Sequence, residues 1–305
     1  MSRYAAIDVG TNSVLLLVAE KRAGRFVAVQ ERADITRLGR GVDRTRTLAP
    51  EAIEATLATI ARFAQEARAL GAAQLVVSAT SAARDASNGQ AFLDGAKERA
   101  GVEVEVISGE EEARLSFSSA HADFGGQRPL VVLDIGGGST EFIYGAPDGT
   151  VSFRRSFDVG AVRLTERHLR QDPPHEDELQ ALDEALAAQL SELPPPPLGA
   201  RLVGVAGSIT TLAAVSLQLD VYDAERVHGA TLSLEVARGV ADRLASLPLR
   251  LRTTVPGLQP RRADVIVAGA RVLVAAMQAV GATELTVSDR GLRWGLLADR
   301  FGSAP

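Results

Sequence analysis

The chain has 305 residues, 46% of them hydrophobic and 23% charged, and at roughly 100–200 residues per domain it accommodates two domains with ample apolar content for packed cores. Its 33 basic residues against 38 acidic give a formal charge of −5, which argues against a broad non-specific grip on nucleic acid but leaves room for a local cationic groove. The absence of cysteine excludes disulfides, thiolate metal sites and cysteine nucleophiles.

Met1-Ser2-Arg3-Tyr4 runs into a strand-like segment with no signal-peptide pattern. No stretch reaches the ~18 uninterrupted apolar residues of a membrane span, and the best candidate, 265–280, is broken by Arg271 and Gln278. A soluble cytoplasmic protein with no membrane partner is the expectation. Residues 4–7 and 14–19 are apolar runs flanking Asp8-Val9-Gly10-Thr11-Asn12-Ser13, a strand, tight turn and strand. Residues 26–30 suggest a third strand and 35–42 a loop. A helix is predicted over 50–70, with proline at its start, Ile53, Leu57, Ile60 and Phe63 on one face, and Gly71 as its stop. A short buried strand at 75–77 leads into a loop, Ser78-Ala79-Thr80-Ser81-Ala82-Ala83-Arg84-Asp85. Residues 90–100 read as a helix, 102–107 alternate as a strand, and 108–120 read as a helix opening with three glutamates.

Residues 130–133 begin a second strand–turn–strand, Asp134-Ile135-Gly136-Gly137-Gly138-Ser139-Thr140-Glu141. Asp8-Val9-Gly10-x-x-Ser13 matches Asp134-Ile135-Gly136-x-x-Ser139, an internal repeat that implies two related half-structures. Helices are predicted over 175–193, 233–246, 262–280 and 291–301. A strand at 202–205 runs into Ala206-Gly207-Ser208-Ile209-Thr210-Thr211, and 284–288 forms another. Strands alternating with helices define an α/β chain. The expected domains are 1–124 and 125–290, with the last helix, 291–305, returning to the first.

The repeated turns are the leading candidates for chemistry. A small-residue turn after a buried strand lets backbone N–H groups converge on phosphate oxygens, and glycine permits close approach. Thr11, Ser13, Ser139 and Thr140 add hydroxyls, and an aspartate at the strand end, Asp8 or Asp134, suits Mg²⁺. An ordinary hairpin is the plainer reading of either turn alone. Glu141 lies across its turn from Asp134, so the two carboxylates with phosphate oxygens make a plausible Mg²⁺ site; a solvated strand residue is the alternative. Glu110, Glu111 and Glu112 suit the positive end of a helix, and Ser108 with Glu111 has capping-box spacing. Neither use demands the third acid, which leaves Glu112 as a candidate general base toward water. Ser81 and Arg84 follow a strand and suit anion contact, against a solvated loop. The turn at Gly207 and Ser208 opens a helix whose N-terminus suits an anion. Only Lys21 and Lys97 are lysines, neither after a glycine-rich turn, so there is no P-loop. His121, His168, His175 and His228 have no ligand spacing and read as surface or capping residues.

Taken in order, these motifs resemble the exopolyphosphatase / guanosine pentaphosphate phosphohydrolase family, of the actin-like, sugar kinase and Hsp70 ATPase fold group. The likeness spans nearly the whole chain and also takes in Arg37-Leu38-Gly39 and Val287-Ser288-Asp289-Arg290-Gly291-Leu292. It implies two ribonuclease-H-like (actin-like ATPase) domains with an interdomain cleft, Glu112 as catalytic base, Arg84 as a further catalytic residue on a phosphate-contacting loop, and Asp134 and Glu141 near Mg²⁺ or Mn²⁺, with the strand-end Asp8 kept as a third metal candidate. It implies phosphate contacts from Gly10, Thr11, Asn12, Ser13, Ser81, Gly136, Gly137, Gly138, Ser139, Thr140, Gly207, Ser208 and Arg262. The implied substrate is inorganic polyphosphate or guanosine pentaphosphate, with no nucleic-acid partner and a homodimer left open. A kinase of the sugar kinase type and a non-catalytic actin-like binding module are the alternatives. Two departures stand out. The family's third turn reads Gly-x-Gly-Gly-Thr, whereas here Ala206 replaces a glycine; and longer relatives carry C-terminal helical domains that extend the polyphosphate path.

Overall fold

The computed structural model describes residues 2–302. It is a mixed α/β structure with two sheets that separates into two compact units, one running to Ser119 and resumed from Leu292, the other spanning Ala120–Gly291.

In the first unit, β1 (Arg3–Val9), β2 (Ser13–Arg22), β3 (Arg25–Ile35), β4 (Ala72–Ala79) and β5 (Glu105–Val106) form a sheet of order β3-β2-β1-β4-β5. β2 runs antiparallel to its neighbours; β1, β4 and β5 are parallel. Because successive strand residues point to opposite faces, β1 divides its side chains. Ala5, Ile7 and Val9 join Ile60, Phe63 and Phe92 of helices α2 (Pro50–Ala69) and α4 (Gly89–Ala100). Tyr4 and Ala6 join Leu115 of α5 (Gly109–Phe124) and Trp294, Leu296 and Phe301 of α13 (Leu292–Phe301). Pro50 stands at the first turn of α2, and Gly71, at φ 78°, follows its end.

The structure departs locally from expectation at three places. The loop expected over 35–42 holds as far as Gly41; a short helix not expected from the sequence, α1 (Val42–Thr45), follows it, with Leu38 and Val42 reaching the core. Residues 81–85 form a helical turn, α3 (Ser81–Asp85). Of the alternating 102–107 stretch only Glu105–Val106 is strand, as it pairs β4 only at Ser78 and Ala79 on the sheet edge.

In the second unit, β6 (Leu130–Ile135), β7 (Thr140–Gly145), β8 (Val151–Phe157), β9 (Arg201–Val205), β10 (Thr231–Ser233) and β11 (Glu284–Val287) take the order β10-β11-β9-β6-β7-β8. Read from β8, this repeats the first sheet's arrangement, with β10 added antiparallel at the edge. This is the ribonuclease-H-like layout. Helices α6 (Ala161–His168), α7 (Glu176–Leu190), α8 (Ala206–Ser216), α9 (Ala224–Val227), α10 (Leu234–Ser246), α11 (Leu249–Arg252) and α12 (Ile266–Ala279) complete the unit. The predicted 262–280 helix begins later, after a 3-10 turn at Pro260–Arg262. Among the described residues, no helix is long and apolar enough to cross a membrane.

Candidate active site

In the first unit the motif residues share one sheet edge. Parallel pairing sets Asp8 opposite Ser78, and Ser78 opposite Glu105. The 10–13 turn, the Thr80–Arg84 segment and the Ser108–Glu112 segment therefore leave from adjacent carboxyl ends, where open α/β sheets receive ligands. Thr80 N donates to Val9 O at 3.1 Å and Ile107 N to Ala79 O at 3.0 Å, tying the three together. Gly10 N closes its turn on Ser13 O at 2.9 Å. From behind, Thr36 N and Arg37 N donate to Asn12 O, and Gly39 N to Thr11 O. With those carbonyls occupied, no backbone carbonyl among the described residues accepts from the amides of Thr11 or Asn12. Asn12 Oδ1 and Ser78 Oγ are buried with no hydrogen-bond partner among the described residues, the mark of a place that water or a ligand completes.

Glu112 lies in the first turn of α5, its amide bonded to Ser108 O at 2.9 Å and its residue only 8% exposed. Half of the expected capping box forms: Ser108 Oγ accepts from Glu111 N at 3.2 Å. The Glu111 carboxylate turns instead to Arg114, at 2.8 and 2.7 Å, and that hydrogen bond holds it below the usual carboxylate range. Arg84 Nη1 donates to Ile107 O at 2.9 Å and sits 3.7 Å from Glu112 Oε2. A cation is thus anchored beside a buried acid. Ser81 is buried, with Oγ 3.5 Å from Asp85.

In the second unit, Asp134 opposes Val205 on parallel β6 and β9, so the 136–139 turn and the Ala206–Ser208 turn are neighbours at one edge. Gly136 N closes on Ser139 O at 2.9 Å, as in the first turn. Ala161 N donates to Gly136 O, and Val162 N and Arg163 N to Gly137 O. Arg163 Nε donates to Gly138 O at 2.6 Å. All three glycine carbonyls are held by α6, and no backbone carbonyl accepts from the amides of Gly137 or Gly138 among the described residues. A Cβ on Gly160 would come within 2.5 Å of Gly137 and Gly138 backbone atoms, so helix and turn meet backbone to backbone. Thr140 Oγ1 donates to Val159 O, which makes Thr140 a brace of the turn rather than a free donor. Arg262 lies against Gly207 so closely that a Cβ there would collide with its guanidinium, and Ser208 packs on Gly269 of α12. Ala206 adopts φ 72°, the left-handed conformation that glycine accepts without strain.

Asp134 and Glu141 are directly paired on β6 and β7, 6% and 0% exposed, and Ser156 Oγ donates to Glu141 Oε1 at 2.7 Å. Like charges opposite one another on a sheet are unfavourable, and two buried hard oxygen donors suit a hard dication. Among the described residues no cluster of three or more His, Asp or Glu could hold a metal. Asp134 and Glu141 thus form a two-carboxylate pair, which suits an ion that keeps waters and borrows substrate oxygens. Opposite Asp8 stands Leu15, so the first turn has a single carboxylate.

Gly160, Arg163 and Ser156 were not singled out by spacing. They lie some twenty residues from the turn and act through tertiary bonds; the small-residue pair Gly160-Ala161 just before a helix was the only local hint. Of the histidines, His175 caps α7, accepting from Asp177 N, and His121 Nε2 is 3.0 Å from Pro147 O.

Two glycine turns with their carbonyls held from behind, one backed by paired acids and the other near an acid and an arginine, have the chemistry to bind phosphate. The Ppx/GppA phosphatase family profile matches residues 17–304, and the chain belongs to that family. It is 36% identical over 319 residues to exopolyphosphatase 2 of Mycobacterium tuberculosis, covering 99% of each. Among solved structures it is similar to an Aquifex aeolicus Ppx/GppA family member, with TM-score 0.82, 33% identity and coverage of 98% and 97%. It is also similar to an exopolyphosphatase from Cytophaga hutchinsonii, with TM-score 0.89, 27% identity and the same coverage.

Proposed function

We propose that this protein is an exopolyphosphatase that releases orthophosphate from the end of inorganic polyphosphate by attack of water. The observation that carries the reading is the placement of Glu112, a nearly buried acid 3.7 Å from an anchored arginine at the edge that also bears the 10–13 turn. Glu112 accepts a proton from the attacking water as its oxygen bonds to the terminal phosphorus. The bridging P–O bond breaks, and orthophosphate and a chain one unit shorter leave. In the first unit the amides of residues 11–12, with Arg84 and Ser81, bind phosphate oxygens and spread their charge; in the second unit the amides of residues 137–139, with Ser208 and Arg262, do the same. Asp134 and Glu141 hold Mg²⁺ or Mn²⁺. When bound, the ion neutralises developing negative charge on phosphate oxygens.

The test is phosphate release from medium and long polyphosphate, with and without Mg²⁺, beside guanosine pentaphosphate. Mg²⁺-dependent release from polyphosphate is expected. Faster release from guanosine pentaphosphate would reassign the substrate, and ATP binding without release would overturn the hydrolase reading.

A further inference from the structure

We propose that the segment Arg37–Arg46 is a subsite for the phosphates of the chain beyond those undergoing reaction, so that this protein favours long linear polyanions over short ones. The inference rests on the polyphosphate reading above and extends it to residues with no role there.

In a chain of net negative charge, Arg37-Leu38-Gly39-Arg40-Gly41-Val42-Asp43-Arg44-Thr45-Arg46 holds four arginines against one aspartate. Leu38, Val42 and, just beyond, Leu48 are buried in the core, which fixes the segment while Arg40, Arg44 and Arg46 stay exposed. Many arginines of this protein pair with carboxylates: Arg22 with Glu20, Arg62 with Asp34, Arg99 with Glu54, Arg114 with Glu111. Among the described residues no carboxylate lies within ion-pair distance of Arg40, Arg44 or Arg46, and their side chains form no hydrogen bond. Three unneutralised guanidiniums in one short stretch repel one another, and a polyanion relieves that repulsion.

Two further observations attach the segment to the reaction site. Its first residues are the brace of the 10–13 turn: Arg37 N donates to Asn12 O at 3.0 Å and Gly39 N to Thr11 O at 2.8 Å. The arginine segment therefore begins one hydrogen bond away from the turn that is proposed to hold phosphate. Arg37 and Arg46 also adopt φ 57° and 55°, left-handed backbone where glycine or asparagine would be less strained. The surrounding structure holds this backbone, Arg46 as the C-cap of α1 with its N–H on Val42 O at 2.8 Å, so the segment presents its side chains from a fixed backbone. Arginine matches phosphate with a forked pair of donors, and spaced guanidiniums suit a repeating anion.

The test replaces Arg40, Arg44 and Arg46 together by glutamine in the full-length protein and measures kcat/KM on tripolyphosphate and on long-chain polyphosphate at several salt concentrations. The ratio of long-chain to tripolyphosphate kcat/KM is expected to fall at least tenfold, and the dependence of long-chain kcat/KM on salt to flatten, as fewer counterions are released. The corresponding triple lysine variant should keep most of the ratio, which separates lost charge from damaged folding. An unchanged ratio, whether both substrates suffer equally or neither does, overturns the subsite. Equilibrium binding of long-chain polyphosphate to the wild-type and glutamine proteins is read alongside. If neither substrate is hydrolysed by the wild type, the activity reading has failed, and equal binding by the two proteins then overturns the subsite as well.

Discussion

The two strand–turn–strand copies are alike in backbone and unlike in what surrounds them. Each closes with an N–H to O bond of 2.9 Å between the glycine after the aspartate and the serine three residues on. In each, an outside segment takes the turn's carbonyls and leaves its amides to face elsewhere. The strand partners differ: Leu15 opposes Asp8, whereas Glu141 opposes Asp134. So do the braces, an arginine-bearing turn that leads into α1 in one case and a helix start with a buried arginine in the other. One backbone device has thus been given two chemistries. On the proposed mechanism the first turn grips phosphate near the base, and the second grips phosphate beside the metal.

The largest effect tests the base. Glu112→Gln removes the proton acceptor while keeping size and burial, and kcat is expected to fall by about 10²–10⁴-fold. Polyphosphate binding should stay within a few-fold of wild type; turnover near the native rate would exclude Glu112 from the role.

The next prediction breaks the asymmetry of the turns directly. Asp134→Asn should raise the Mg²⁺ concentration for half-maximal activity by about tenfold or more, because it removes one of two paired carboxylates. Asp8→Asn, facing Leu15, should shift that titration much less. Equal shifts in the two variants would show that the Asp134–Glu141 pair is not the principal metal site.

A third prediction concerns the brace. In Gly160→Ala, the added methyl meets the backbone of Gly137 and Gly138 at 2.5 Å, and overpacking of this kind costs about 1–3 kcal/mol. A lower melting temperature and a raised KM for polyphosphate are expected together. A raised melting temperature with unchanged KM would show that α6 does not set the turn.

What could be read from sequence follows from how local each cause is. The helix at 50–69 announces itself through its first-turn proline, its apolar face and Gly71, all within its own span. The twin turns are legible because their geometry is set by adjacent glycines and their pattern occurs twice. By contrast, β5 shrinks to two residues because its neighbour offers it only Ser78 and Ala79, which no alternation within 102–107 can reveal. Arg163 is equally hidden. As a residue on a short amphipathic helix it looks ordinary, and only the fold carries its guanidinium to Gly138 O, where it is 5% exposed. Arg40, Arg44 and Arg46 are visible in sequence, but their lack of carboxylate partners among the described residues is a property of the folded surface.

Ala206 gives the smallest and cleanest test. At φ 72° its methyl group sits in left-handed backbone, which costs an L-residue roughly 1–2 kcal/mol. Ala206→Gly removes that strain but adds freedom to the unfolded chain, worth about 0.5–1 kcal/mol in the opposite direction. The net expectation is stabilisation of about 0.5–1 kcal/mol, read as a higher urea midpoint for the transition of the unit that contains it. The strain persists at the N-terminus of α8, one residue before the Gly207 on which Arg262 rests. Strained backbone at such a place is held there by the packing around it. If the methyl also narrows the approach of phosphate to the α8 amides, KM for polyphosphate falls as stability rises. A destabilised glycine variant would mean that the methyl's packing outweighs its strain, and that the second unit depends on alanine at this turn.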